Sequence, residues 1–361
     1  MLEEERVDSR NIISDYIFYS KYSRVKEDGT KESWKESISR VMQMHWSFFE
    51  NKITEEKREA FLKVFNTAWS AYENRLILGS QRALQYGGEQ LLKNHLRLYN
   101  CTSSYLNRVA FFEECMESLL SGEGTGYSVQ KVHTEQLPVM KGVDSSKKVV
   151  FEIPDSIEGW ARSVGMLIEH YYYNLPVVEF DYSQIRPEGS FISGGFKAPG
   201  PEPLKVCHSK IKAILDKVNN RKLRPFELHY ITCIIADAVI SGGIRRSAMI
   251  ALFDIDDIEM LSCKTGNWFQ MYPELCRCNN SAVIFEDTPK EEYLKIMKYV
   301  KEYGEPGIIF LSHPDQVLNP CCFSGDTLVA VADGRNAVSI KELSEEDEPF
   351  PLFYKSKSGK I

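Results

Sequence analysis

The 361 residues carry 44 Lys and Arg against 51 Asp and Glu, a formal net charge of −7, and 43% are hydrophobic. That apolar content supports a sizeable core and two or three structural units, while the acidic balance, with no clustered Lys/Arg, argues against nucleic acid as a partner. No apolar run approaches the ~20 residues that span a bilayer and the acidic Met1–Asp8 is unlike a signal peptide, so a soluble cytoplasmic protein with no membrane partner is expected.

In chain order, residues 1–95 read as a helical N-terminal domain. Ser33-Trp34 to Phe49 and Thr54 to Leu76 carry apolar residues at three- and four-residue spacing, and Glu55-Glu56 after Thr54 marks a helix start. Gly87-Gly88 breaks that pattern. Leu98 to Leu106 is strand-like and holds Cys101. An amphipathic helix over Arg108–Leu120 then runs into the glycine-rich Ser121–Val129. Lys141–Lys148 is polar and turn-rich, as a surface loop would be. Ile157–Tyr172 predicts a helix and Val177–Phe180 a short strand. Over 186–203, eight of eighteen residues are Gly or Pro, a long irregular stretch of the kind that is usually functional or disordered. A helix follows over Phe226–Ile240, then a strand at Ser281–Phe285, a helix at Lys290–Tyr303 and a buried strand at Gly307–Leu311. Helices alternating with short apolar strands predict an α/β domain. After Cys322 the composition changes to a small β pattern, Thr327–Val331, Asp333-Gly334 and Val338–Leu343.

The nine cysteines lack the spacing of a disulfide scaffold. Cys115, Cys207, Cys233 and Cys263 read as small buried hydrophobes. Cys276-x-Cys278 has no second Cys/His pair at zinc-ligand spacing, so no metal site is expected. His133, His208 and His229 are isolated and receive no role. Cys101, Cys321 and Cys322 sit in contexts that ask for chemistry.

Those contexts form an ordered set: Asn100-Cys101, Gly122–Val129, Asp181–Gly189, Ser193–Leu204, Gly242–Ser247, Asn279–Val283, Gly304-Glu-Pro-Gly307 and Asn319-Pro-Cys321. The set resembles the ribonucleoside-triphosphate reductases that use adenosylcobalamin (class II). The resemblance implies a ten-stranded α/β barrel built from two five-stranded parallel halves, of which residues 96–321 would be the first. A finger loop inside it would present Cys321 to the substrate ribose as the thiyl radical that abstracts the 3′ hydrogen, the cofactor providing the initial radical. Asn319 would hydrogen-bond the substrate, and Cys101 would be one of two reducing thiols. Ser193, Gly194, Gly195, Phe196 and Lys197 match the segment linking a deoxynucleotide effector to substrate choice. Gly122, Gly124 and Gly126 would form a glycine-rich hairpin near the substrate, although taken alone they read equally as a phosphate cradle or a tight turn. A thioredoxin-like reductant is the implied partner.

Two family features are missing. The Glu expected two residues past the radical cysteine is replaced by Phe323, and no partner thiol for Cys101 follows in the remaining 39 residues. This stretch alone is therefore expected not to reduce nucleotides. Cys322-Phe-Ser-Gly-Asp-Thr-Leu-Val329 resembles the opening block of inteins, in which the first thiol attacks the preceding carbonyl, so residues 322–361 read as the β-rich start of an intein. The expected function is ribonucleoside-triphosphate reduction after splicing to a C-terminal intein/reductase half. The alternatives are a reductase with a separate radical-generating subunit, a split-intein half whose immediate activity is splicing, and an inactive remnant.

Overall fold

The computed structural model describes residues 9–26, 28–192, 196–241, 248–320, 328–331, 335 and 337–346. Two compact units result, 1–320 and 321–361. Among the described residues no helix is long and apolar enough to cross a membrane.

The first unit opens with helices α1 (Ser9–Lys21), α2 (Trp34–Phe49) and α3 (Glu55–Glu73). Ser33 starts α2 with a capping box, accepting from the Glu36 N–H while the Glu36 carboxylate accepts from the Ser33 N–H. The i, i+3/i+4 residues Ile38, Val41 and Met42 close over Tyr72, Ala83 and Leu84, a core of its own.

The larger core belongs to a five-stranded, all-parallel sheet. Its strands are β1 (Cys101–Tyr105), β2 (Gly124–Ser128), β5 (Met249–Asp254), β6 (Cys278–Ile284) and β7 (Gly307–Phe310), in the order β1-β2-β5-β6-β7. The parallel α/β architecture agrees with the expected fold class. The strand period of two sorts the side chains. Met249, Ala251 and Phe253 of β5, with Cys278, Ala282 and Ile284 of β6, face the helical layer of α4 (Phe111–Leu120), α5 (Ile157–Tyr173), α6 (Glu202–Leu215) and α7 (Pro225–Ser241). Ile250, Leu252, Val283 and Ile309 form a second cluster with Leu311, Val317 and Leu318 from the segment after β7. Both faces are therefore covered, as an all-parallel sheet requires.

Several expectations need correction. The polar Lys141–Lys148 is not a loop: β3 (Asp144–Glu152) pairs in parallel with β4 (Pro176–Asp181). Its polarity reflects a solvent-exposed two-stranded ribbon on which Lys148 pairs with Glu179 across the strands. Strand β5 was not anticipated because Met249–Phe253 is a short apolar run without alternation; helix α6 was missed although Leu204, Cys207, Ile211 and Leu215 recur at three- and four-residue spacing, because its first turn falls in the Gly/Pro-rich 186–203 stretch. Gly242-Gly243, directly after the helix expected over Phe226–Ile240, lies outside the described residues.

Helix α7 is held at its start by an ion cluster. The Glu227 carboxylate accepts from Arg221 (2.7 Å to each oxygen), from the Arg224 guanidinium (3.0 Å) and from the Arg224 backbone N–H (2.9 Å). Burial pushes this carboxyl up, but the bonds from Arg221 and Arg224 outweigh it and hold the pKa at about 2. A depressed folded-state value means that the contribution is present above the unfolded pKa of about 4.5 and is lost as pH falls toward 2. Glu227→Gln should cost about 1–2 kcal/mol at pH 7, reduced by the partial exposure of both arginines, and the difference from wild type should shrink in urea unfolding at pH 3.

In the second unit, β8 (Leu328–Ala330) pairs antiparallel with β9 (Ala337–Ser339), and helix α8 (Ile340–Ser344) follows. The strand pattern expected through Leu343 ends at Ser339, because Ser339 and Glu342 form another capping box.

Candidate active site

The glycine-rich segment is not a hairpin. Gly124–Ser128 is the buried strand β2, in parallel register with β1, so that Cys101, Ser103 and Tyr105 lie beside Gly124, Gly126 and Ser128. Paired residues in a parallel ladder point to the same face. That face is the one covered by residues 311–320. The Tyr105 hydroxyl donates to the Asp315 carbonyl. A Cβ on Gly126 would lie 1.7 Å from the Leu318 carbonyl oxygen, and one on Gly124 would lie 2.8 Å from Cγ of Pro320. The segment therefore runs back along β1 and β2 toward their N-terminal ends, with the Leu318 backbone pressed onto Gly126 and the Pro320 ring onto Gly124. Glycine inside a strand marks this kind of close approach. Asn319, half-buried, lies between these two contacts, and the path ends with Pro320 against the strand position next to Cys101. Cys321 and Cys322 lie outside the described residues.

His133, to which the sequence gave no role, supports this path. Its buried ring stacks on Tyr105 at 4.4 Å, its Nδ1 is 2.8 Å from the Ser128 hydroxyl, and its Nε2 faces the Asp315 carboxylate at 3.5 Å. Burial pulls the imidazole below its usual pKa despite that carboxylate. Gln316 fixes the turn from the other side by accepting from the Ser312 N–H at 2.8 Å. Nothing periodic in the sequence would have singled out His133, because its partner lies 182 residues away.

At the N-terminal ends of β1 and β2 a cavity of about 720 Å³ opens, lined by Asn100 and Gly122 and by the basic side chains of Lys21, Arg82, Lys93, Arg97 and Arg186, against the acidic Asp155 and Glu158. Arg82 anchors the floor, donating through Nε to Asn100 (2.9 Å) and through its guanidinium to the Gly122 carbonyl. Gly122 has φ +90 and its Cβ would meet Arg82 at 2.8 Å, so only glycine fits there. Arg186 is bonded to Asp155 at 2.6 Å. Lys93 pairs with Glu89 at 2.6 Å and Arg97 donates to Gln90 at 2.9 Å, so the lining carries an excess of basic side chains held by the surrounding wall.

The far wall includes Ala198, Pro199 and Gly200, directly after the expected effector segment. Within that segment Phe196–Lys197 pairs antiparallel with Phe191–Ile192, and Lys197 is exposed. Ser193, Gly194 and Gly195 lie outside the described residues.

No protein-family profile matches the sequence. It is 26% identical over 331 residues to a probable adenosylcobalamin-dependent ribonucleoside-triphosphate reductase of Dictyostelium discoideum, covering 84% of this chain and 43% of that protein. A reductase of the same name from Euglena gracilis is 27% identical over 321 residues, with the same coverage. The Lactobacillus leichmannii enzyme is 28% identical over 235 residues, 55% of this chain and 31% of that one. The chain thus spans less than half the length of these relatives. A crystal structure of a B12-dependent (class II) ribonucleotide reductase superposes with a TM-score of 0.69 at 20% identity, over 93% of this chain and 52% of that one. By sequence the chain is similar to adenosylcobalamin-dependent ribonucleoside-triphosphate reductases, and its fold resembles that of a class II ribonucleotide reductase.

Proposed function

We propose that this chain is the N-terminal part of a cytoplasmic, adenosylcobalamin-dependent ribonucleoside-triphosphate reductase, divided after Cys321 by the start of an intein. The backbone of 318–320 lying on Gly124 and Gly126 beside Cys101 carries the reading. It is the arrangement a finger loop needs inside a ten-stranded barrel of which these five strands are one half.

In the joined enzyme the substrate triphosphate enters through the cationic cavity, and Asn319 holds the ribose by hydrogen bonding while the Cys321 thiyl removes the 3′ hydrogen. The 2′-hydroxyl leaves as water. Two electrons and two protons come from the thiols of Cys101 and a second cysteine supplied by the missing half; these end as a disulfide that a thioredoxin-like protein reduces. A deoxynucleotide effector acts through residues 193–197. The cavity lining sets cationic side chains beside Tyr22, Tyr86, Ile157, Trp160 and Ile185; the cobalamin would supply the initial radical when bound, and none of the roles assigned to the described residues passes through it.

Splicing supplies the join. The Cys322 thiol attacks the Cys321 carbonyl and the amide becomes a thioester; the acyl group passes to the side chain of the first residue of the downstream extein, cyclisation of a terminal Asn of the intein cleaves the last intein–extein amide, and an acyl shift to nitrogen restores the peptide bond. The antiparallel pair β8–β9 suits the start of a β-rich intein.

The test is co-expression with the C-terminal half. A spliced product that converts ribonucleoside triphosphates to deoxynucleotides with adenosylcobalamin and a dithiol is expected, and Cys322→Ala should leave the precursor unjoined. Reduction that ignores cobalamin and requires a second radical-generating protein would overturn the cofactor assignment, and an intact Cys321–Cys322 bond in wild type would overturn the splicing.

A further inference from the structure

On the opposite face of the sheet, under the helices, lies a group of side chains that the reaction does not use. His229 and Cys233 are four residues apart on α7 and so share one helix face. Cys278 opens β6 and points at them from the sheet. Their ligand atoms all lie within 4.8 Å of one another, with Cys233 Sγ 3.8 Å from His229 Nε2. Both residues on α7 are 0% exposed and Cys278 is 2% exposed. The other ring nitrogen, Nδ1, is 2.7 Å from the buried Tyr127 hydroxyl. Asn280, two residues along the same face of β6, adds a buried carbonyl oxygen that interacts with His229 without meeting full hydrogen-bond geometry.

We propose that His229, Cys233 and Cys278 bind one zinc-class divalent ion that ties helix α7 to strand β6. Tetrahedral coordination at Zn–S ≈ 2.3 Å and Zn–N ≈ 2.0–2.1 Å places ligand atoms roughly 3.5–3.8 Å apart, so closure requires shifts of no more than about 1 Å. Nε2 is the imidazole ligand, and the Tyr127 hydroxyl accepts from Nδ1–H, which fixes the ring in the manner of outer partners at zinc sites. The Asn280 oxygen fills the fourth position. Binding displaces one proton from each thiol, and the two thiolates cancel the ion's charge, so no net charge is buried. The spacing of Cys276-x-Cys278 hides the site, because its partners lie 45 and 49 residues upstream on another element. The ion's role is structural: it braces the back of the sheet on whose front the 311–320 segment lies.

The intact chain, stripped with a chelator and titrated with Co(II), should bind one equivalent, show thiolate-to-cobalt charge-transfer absorption with the intensity of two thiolates, and exchange it for Zn(II) with a rise in melting temperature. Cys233→Ser and Cys278→Ser should weaken binding at least about 100-fold, while Cys276→Ser, which removes the exposed neighbour, should leave it unchanged. Should the serine variants not fold, the wild-type spectrum decides. Absent or single-thiolate absorption in the folded wild type, a Cys233–Cys278 disulfide under reducing conditions, or full binding by a folded serine variant would overturn the proposal.

Discussion

Gly126→Ala is expected to unseat the segment that carries Asn319. The added methyl would lie 1.7 Å from the Leu318 carbonyl oxygen and 3.2 Å from the Ile250 side chain. Its main obstacle is backbone, so no rotamer change relieves it, and either β2 or the segment must move. Overpacking of this kind costs about 1–3 kcal/mol. The loss in the joined reductase should be larger, about 100-fold in deoxynucleotide formation, because a displacement near 1 Å at a reacting group has that effect. Hydrogen exchange read by mass spectrometry should show faster exchange across 312–320 in the variant. Gly124→Ala, which meets the Pro320 ring at 2.8 Å and the Ala248 carbonyl at 3.0 Å, should give the same signature more weakly. Unchanged exchange in Gly126→Ala would mean that the segment does not lie on the strand.

Cys101→Ser should abolish sustained turnover while leaving nucleotide binding intact. Serine preserves the size and the register with Gly124, but a hydroxyl cannot become half of a disulfide. The two reducing electrons are then lost, an effect of at least about 1000-fold, or ~4 kcal/mol in barrier terms. Steady-state turnover with a dithiol, compared with nucleotide affinity in the same variant, separates this from misfolding. Sustained turnover by Cys101→Ser would remove the residue from the electron path.

The helical start, the α/β alternation and most of the long elements were legible because their periodicity is local. Ser33 and Glu36 announce α2 within four residues. The glycine segment misled for a physical reason: sequence alone cannot tell a glycine that frees φ from one that vacates space. Gly122 does the first, with φ +90; Gly124 and Gly126 do the second, for a neighbour about 190 residues away. His133 and the group at His229, Cys233 and Cys278 were missed on the same ground, since their meaning exists only where α7, β2, β6 and the 311–320 segment come together. Motif order, by contrast, is readable without geometry: Asn100-Cys101 opens β1, and Pro320 lies against Gly124, the residue paired with Cys101.

The account depends on Cys321 reaching the face of the sheet that holds Cys101. Pro320 lies against Gly124, the β2 residue paired with Cys101, and Cys321 is the next residue in the chain, so the account expects the two thiols to come within reach of a short cross-linker. A short bis-maleimide applied to the folded chain carrying Cys322→Ser and Cys276→Ser should link Cys101 to Cys321, identified by peptide mass spectrometry, and urea should abolish the link. Capture of Cys321 by any other cysteine, or no Cys101–Cys321 link in the folded protein, would contradict it.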